Sequence, residues 1–467
     1  MRKLLLGLAF LGLTGLSIAK GKGIKFESGQ SWEQIKSKAK AENKYIFMDV
    51  FATWCGPCKA MDRDVYPDER LGTFMNERFI SVKVQADTLK ADGDEIKDWY
   101  ADARQIIKDN KVNGFPTLLF FTPQGKLVDR GVGFTNLENL LILAGNARDP
   151  LKQYYTLLEQ YNQGNRNYRI LPDLIRKAKS LGENEATAKM ADDYLHNYLD
   201  KLPEKDLLTK EQLLFATIEI GDFFTSASRI FQFIYKHSNR VDSIVGEKDF
   251  AKSIIGWRIT KEELYNKLWA NDNQPIAQRP DWEMIRNSIK EKYGEYYADS
   301  LITPAQFLFY KVEKRSKEYV KVAEIIIKKY PPKKNGNRLS TAIGGDALRG
   351  PANDAWGLNE IAWTTFQNSD DPTLLKKAIY WSDLSIKLED EKSSDAHQFY
   401  DTKANLLYKL GRIKEAIEAE QTAIKVVMSC NTPQSLKDLF VTSYKETIAK
   451  IKKGVVTWPE NKLLTKN

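Results

Sequence analysis

Two thiols separated by two residues, Cys55 and Cys58 in the run Trp54-Cys55-Gly56-Pro57-Cys58, are the groups in this 467-residue chain whose spacing can do chemistry. Such a pair can close a disulfide and reopen it by exchange with another thiol or disulfide. Tyr45 to Ala52 ahead of it is apolar, β-branched or aromatic enough for a buried strand, and Lys59-Ala60-Met61 behind it begins a helix-friendly stretch. The pair is therefore expected at a strand-to-helix turn. Backbone N–H groups and the helix dipole stabilise a thiolate there, which makes Cys55 the attacking sulfur, reachable by partners, and Cys58 the resolving thiol. The competing readings are an inert disulfide and half of a zinc site. Zinc wants a second CxxC or a histidine pair, whereas the other cysteine is Cys430 and His196, His237 and His397 lie far away. Redox chemistry is favoured, with no metal and no cofactor expected.

The stretch Lys44 to Lys59, with Asp49, Trp54 and the two cysteines, together with Gly114-Phe115-Pro116-Thr117, resembles thioredoxin. The resemblance is closest to secreted thioredoxin-like domains related to the C-terminal domain of the membrane-bound thiol:disulfide interchange reductase, and it covers about the first third of the chain. It implies an α/β thioredoxin fold at the N-terminus. Asp49 matches the family's buried carboxylate, implied to move protons to and from the resolving cysteine; the alternative is a strand-edge aspartate facing water. Lys83, in the run Phe79 to Val84, matches the lysine that accompanies it. Pro116 corresponds to the family's cis-proline, which would place the Phe115 backbone beside the dithiol for pairing with an extended substrate segment. Gly133-Phe134 matches the loop that completes the substrate surface, with Trp54, Gly56 and Pro57 around the cysteines, and the bulk of Phe134 implies a narrower or more hydrophobic groove. Gly-Pro between the cysteines goes with reducing members of the family, and neither residue offers a side-chain donor to the Cys55 thiolate. A reductant or isomerase is expected.

Compartment is read from the N-terminus. Arg2-Lys3, the apolar Leu4 to Leu16 and the small-residue site Ser17-Ile18-Ala19 have the order of a signal peptide cleaved after Ala19. The expected protein is exported, periplasmic and soluble after cleavage. A dithiol outside the cytosol must be kept reduced by electrons carried across the membrane, so a membrane thiol reductase is the implied donor and exported proteins with disulfides the implied substrates. The formal charge of +9 falls to +7 without Arg2 and Lys3, and the lysines are scattered over helix faces rather than gathered in a stripe, so nucleic-acid binding is not expected. Val426-Val427-Met428 beside Cys430 suggest a buried, inert thiol.

Ser31 with Gln34 three residues later has the form of a capping box before the Tyr45 strand. Thr88 to Lys111 reads as an enlarged helical segment beside the active site. From Leu151 helical spacing takes over, as in Leu151 to Tyr161, Ala186 to Leu199, Lys210 to Ile234 and Tyr319 to Tyr330, with no strand run between them. Ala404, Leu407, Gly411, Ala416 and Ala423 have the spacing of a tetratricopeptide helix hairpin, and an earlier copy fits Ala362, Ala378 and Ser385. Stacked hairpins offer a concave surface for a peptide or protein partner. The expected organisation is a signal peptide at 1–19, a thioredoxin-like domain at 20–148, a helical domain at 151–332, a linker at 333–354, tetratricopeptide-like repeats at 355–428 and a helical tail at 429–467. Two functions remain open: an exported thiol:disulfide oxidoreductase, or an assembly factor that keeps the module as a binding surface. The second has no chemical need for both thiols.

Overall fold

The computed structural model describes residues 23–271, 274–275, 279–334, 354–389, 393 and 395–458. The expected signal segment and most of the expected linker lie outside the described residues. The chain divides into two compact units, Met1–Lys201 and Leu202–Asn467.

The first unit is built on a five-stranded sheet in the order β1-β3-β2-β4-β5. Its strands are β1 (Phe26–Glu27), β2 (Tyr45–Phe51), β3 (Phe79–Gln85), β4 (Thr117–Phe121) and β5 (Leu127–Val132). β1 and β2 run parallel to β3, while β4 is antiparallel to both β2 and β5. Strands buried on both faces read as continuous apolar runs, and β2 and β4 have that character. On one face Phe47, Leu118 and Phe120 pack with Met61, Val65, Leu71, Met75 and Leu140 from the helices that cover it. On the other, Ile46, Met48, Val50, Ile80 and Val82 pack against Ile35 and Ala39 of α1 (Trp32–Glu42) and Ala103 and Ile106 of a later helix. The capping box at Ser31 is formed, with the Ser31 hydroxyl accepting from the Gln34 N–H and the Gln34 side chain accepting from the Ser31 N–H.

Five more helices complete the thioredoxin-like part: α2 (Gly56–Ala60), which continues through one π-helical turn at Met61–Val65, α3 (Glu69–Arg78), α4 (Asp94–Asp98), α5 (Tyr100–Asp109) and, after β5, α6 (Leu137–Ala147). The segment between β3 and β4 is helical as expected. It is pinned by Asp92, whose carboxylate accepts from the Tyr100 hydroxyl at 2.5 Å, Gln85 Nε2 at 2.8 Å and the Leu89 N–H at 2.8 Å. Packing continues past Pro150. Arg130 on β5 donates to the carbonyls of Asn110 at 2.9 Å and Leu181 at 3.1 Å, and buried Asp129 meets Lys177 Nζ at 3.0 Å. These contacts carry α7 (Tyr154–Asn162), α8 (Leu171–Ser180) and α9 (Asn184–Asp193) into the same unit.

The second unit is helical, with two departures from the sequence reading. A two-stranded ribbon pairs Trp269–Asn271 with Gln274–Pro275, so the region is not wholly free of strand. The expected continuous helix Lys210 to Ile234 is broken: helical turns end at Glu219 and resume at Arg229. The break falls at Gly221, whose carbonyl accepts from the buried Arg258 guanidinium, and at Thr225, whose N–H donates to the Ser228 hydroxyl. Those polar side chains compete with the helix for backbone groups. Beyond residue 354, Ala355–Asn368 is followed by Pro372–Leu388, Ala396–Lys409 by Ile413–Ser429, and Gln434–Lys453 closes the described helices. No described helix is long and apolar enough to cross a membrane.

α3 presses directly on the chain entering β1. A Cβ placed on Gly72 would sit 2.2 Å from the Gly23 carbonyl oxygen, in backbone that cannot swing away. In an open helix alanine is favoured over glycine by about 1 kcal/mol. Gly72→Ala is expected to reverse that preference and destabilise the protein by about 2 kcal/mol or more, measured as a lowered midpoint in chemical denaturation followed by circular dichroism.

Candidate active site

β2 runs into the turn Ala52-Thr53-Trp54 and delivers Cys55 to the N-cap of α2. The turn is clamped from the end of β3: the Thr53 N–H donates to Asp87 Oδ1 at 3.0 Å, and its hydroxyl donates to the other oxygen of the same carboxylate. Cys55 and Cys58 form a disulfide with Cα atoms 5.3 Å apart, and Cys55 Sγ accepts from the Cys58 N–H at 3.1 Å. Pro57 falls in the first turn of the helix, where its missing N–H costs nothing.

The sulfurs are less open than the sequence suggests. Both cysteines are only 2 % exposed, because Ala52, Phe51 and Phe115 pack around them. The surface over the dithiol belongs to its neighbours: Trp54 is 70 % exposed with its ring edge-on to Phe115 at 5.9 Å, and Gly56 and Pro57 are exposed. The Phe115–Pro116 peptide bond is cis. The Pro116 carbonyl accepts from the Gly133 N–H at 2.8 Å, which ties the Gly133-Phe134 loop to the cis-proline loop. Gly133 has φ +83°, a conformation that favours glycine, and Phe134 is 52 % exposed. The same loop reaches α2's continuation, where the Thr135 N–H lies 3.5 Å from the Met61 sulfur. Trp54, Phe115, Pro116, Gly133 and Phe134 are thus gathered by one set of linked loops.

Beneath them lies Asp49. It is fully buried, not a strand-edge aspartate facing water. The parallel register sets Asp49 opposite Lys83, so their side chains share one face of the sheet. Lys83 Nζ is 3.7 Å from Asp49 Oδ2 and is bound directly to Asp62. Three rings surround that ammonium, Phe51 at 4.8 Å and Phe26 and Tyr66 at 5.6 Å each. Burial pushes the Asp49 carboxyl up to about 6, against the pull of Lys83 and of the Tyr66 hydroxyl, and no hydrogen bond of good geometry reaches either carboxyl oxygen. Phe51 touches both this pair and the dithiol. Asp62 and Tyr66 were not singled out in the sequence. Asp62 lies four residues after Cys58 on the same helical run, a one-turn spacing that could have marked it.

Cys430 stands apart. It is buried, its thiol lies against the Ser393 and Val426 carbonyls at 2.8 and 3.0 Å, and burial pushes its pKa up.

Residues 32–147 match a family profile described as a thioredoxin-like domain. Thioredoxin-1 of Saccharomyces cerevisiae is 36 % identical over 107 residues, which is 23 % of this chain and 85 % of that protein. The chain belongs to the thioredoxin family through this N-terminal part. The thiol:disulfide interchange protein DsbD of Ralstonia nicotianae is 31 % identical over 124 residues, 26 % of this chain but only 19 % of that protein. Among solved structures, a DsbH oxidoreductase is 18 % identical over 30 % of this chain and 94 % of that one, with a TM-score of 0.24. Fold, cysteine pair and relatives together support a thiol–disulfide oxidoreductase.

The raised Asp49 pKa has a stability consequence. The folded state holds that proton more tightly than the unfolded chain does, so the associated stability is fully present below about pH 4 and is lost as pH rises through about 6. The shift corresponds to roughly 3 kcal/mol. Asp49→Asn is expected to be more stable than the wild type by ~1–3 kcal/mol at pH 8 and to converge with it near pH 4, as read from denaturant midpoints across pH. A difference independent of pH would contradict the assignment.

Proposed function

We propose that the chain is an exported thiol:disulfide oxidoreductase that reduces or isomerises disulfides in other exported proteins. The observation that carries this reading is the Cys55–Cys58 pair at a helix start, beside a cis-proline loop and above a buried carboxyl. In the reduced protein the Cys55 thiolate attacks a substrate disulfide, forming a mixed disulfide and expelling one substrate thiolate. Cys58 then attacks Cys55 Sγ as its proton passes to Asp49, the second substrate sulfur leaves, and the Cys55–Cys58 disulfide remains. Two electrons have moved from the dithiol to the substrate. Trp54 and Phe115 form the surface over the cysteines, so the substrate is taken to approach across them, with its backbone beside Phe115-Pro116 and its side chains against Phe134. Lys83 and its ring cage act as a positioning device for Asp49.

Export follows from the signal-like residues 1–19, and it implies a membrane thiol reductase that returns two electrons to Cys55–Cys58. The helical hairpins over 355–428 are read as tetratricopeptide-like packing that recruits partners. Buried Ala362, Ala378, Ala404, Ala416 and Ala423 support this, as does Gly411 at φ +76° in the turn. The assembly-factor alternative leaves Asp49 and the second thiol without a role.

The test is insulin reduction with dithiothreitol as electron source. Wild-type protein is expected to precipitate insulin chains and Cys55→Ser to give only the background rate. Pre-reduced Cys58→Ala, freed of dithiothreitol before insulin is added, is expected to form a covalent insulin adduct that added dithiothreitol dissolves. Wild-type activity that survives Cys55→Ser, or no activity at all, would reject the redox reading.

A further inference from the structure

In the second unit, one side each of helices Ala355–Asn368, Ala396–Lys409 and Gln434–Lys453 walls a cavity of about 610 Å3. Its lining is aromatic: Trp356, Trp363, Phe440, Tyr444 and Trp458. Trp356 is 38 % and Trp458 47 % exposed, and Trp458 stands edge-on to Trp363 at 4.7 Å. Aromatic side chains around a cavity with a few placed polar groups are the usual lining of a ligand site. Among the polar groups that line it are Asn359 and Asp401. Asn359 is 93 % buried, and its Oδ1 has no hydrogen-bond partner within the protein. Asp401 accepts from Asn405 Nδ2 at 3.1 Å and is backed by the fully buried Glu420 of the helix Ile413–Ser429.

Burial and the neighbouring Asp401 carboxyl push Glu420 up to about 10, and burial raises Asp401 too, against hydrogen bonds from Glu420 and Asn405 that hold it down, so the pair holds no more than one negative charge near neutral pH. Among the described residues no ion pair reaches either carboxyl. Glu360 at the cavity is already paired with Lys311 at 2.6 Å and adds nothing. An uncompensated acid among indole faces, with a spare amide acceptor, is complementary to a cation carrying several N–H donors. This local character opposes the chain as a whole, whose formal charge is +9. A second cavity of about 520 Å3 shares Trp458 and runs past Tyr408, Phe366, Lys314 and Asp370, the last already paired with Lys409 at 2.8 Å, so its contribution is shape and aromatic surface rather than charge. Two cavities joined at one indole suit an extended chain better than a compact ligand.

We propose that this surface binds an extended basic polypeptide segment, one of whose arginine or lysine side chains enters the Trp356–Trp458 cavity and is received by Asp401 and Asn359. The rings cover the aliphatic stem and the carboxylate takes the charged head. The site is separate from the dithiol and does not depend on the redox reading.

Titration calorimetry of the full chain with an acetylated, amidated Gly-Ser-Arg-Gly-Ser-Arg-Gly-Ser peptide tests this, with citrulline replacing arginine in a neutral control of the same shape. The arginine peptide is expected to bind at least about tenfold more tightly than the control. Asp401→Asn and Trp458→Ala are each expected to weaken it by about tenfold, with circular dichroism and insulin reduction unchanged. Trp458 is exposed at the edge of the site, so its variant keeps the test intact if Asp401→Asn folds poorly. Equal binding of the citrulline peptide, no saturation below about 1 mM, binding that both variants leave unchanged, or argininamide binding as tightly as the peptide would each overturn the proposal.

Discussion

The site depends on burying one carboxyl of the central sheet, Asp49 on β2, away from solvent. Asp49 sits among Phe47, Phe51 and Tyr66 on an otherwise apolar face, and the nearest counter-charge, Lys83, is already committed to Asp62. Desolvation therefore wins over attraction, and the carboxyl becomes a weak acid poised near neutrality. A group tuned in that way can accept a proton from a thiol and give it back, which a solvated aspartate does poorly. The parallel pairing of β2 with β3 is what makes the arrangement possible, since register alone places residues 49 and 83 side by side. Phe51 then links this pair to the dithiol through direct packing.

Much of this was legible in the sequence because it is local. The strand Tyr45 to Phe51, the strand Thr117 to Phe121 and the capping box at Ser31 rest on period, turn chemistry and composition, and they fall where the residues indicate. The buried state of Asp49 was foreshadowed by the apolar residues on both sides of it. What the sequence hid are features decided by neighbours far along the chain. The covering of the cysteines by Phe115 depends on a loop 60 residues away from Cys55. The break in Lys210 to Ile234 depends on Arg258 reaching Gly221, and the ribbon at Trp269 has no alternating pattern to announce it. Helical periodicity could not show that α7 and α8 would be tied to β5, with α9 packed on α8, because a buried Arg130 and Asp129 draw the α8 region there.

The two units carry different chemistry. The first concentrates its polar investment around a few buried groups, Asp49, Asp129 and Arg130, each within reach of a partner on another element. The second is a helical array whose small buried residues, among them Ala362, Ala378 and Ala416, let helices approach closely. Two of its exposed indoles, Trp356 and Trp458, and the unmet Asn359 acceptor gather at one cavity.

The most direct measurement is the rate at which Cys58 resolves a preformed mixed disulfide on Cys55, followed by stopped-flow across pH 4.5 to 8 in the wild type and in Asp49→Asn. The account predicts that the wild-type rate rises through a midpoint near about 6, where the Asp49 carboxyl loses its proton, and that this rise is absent in the variant. A profile identical in the two proteins would contradict it.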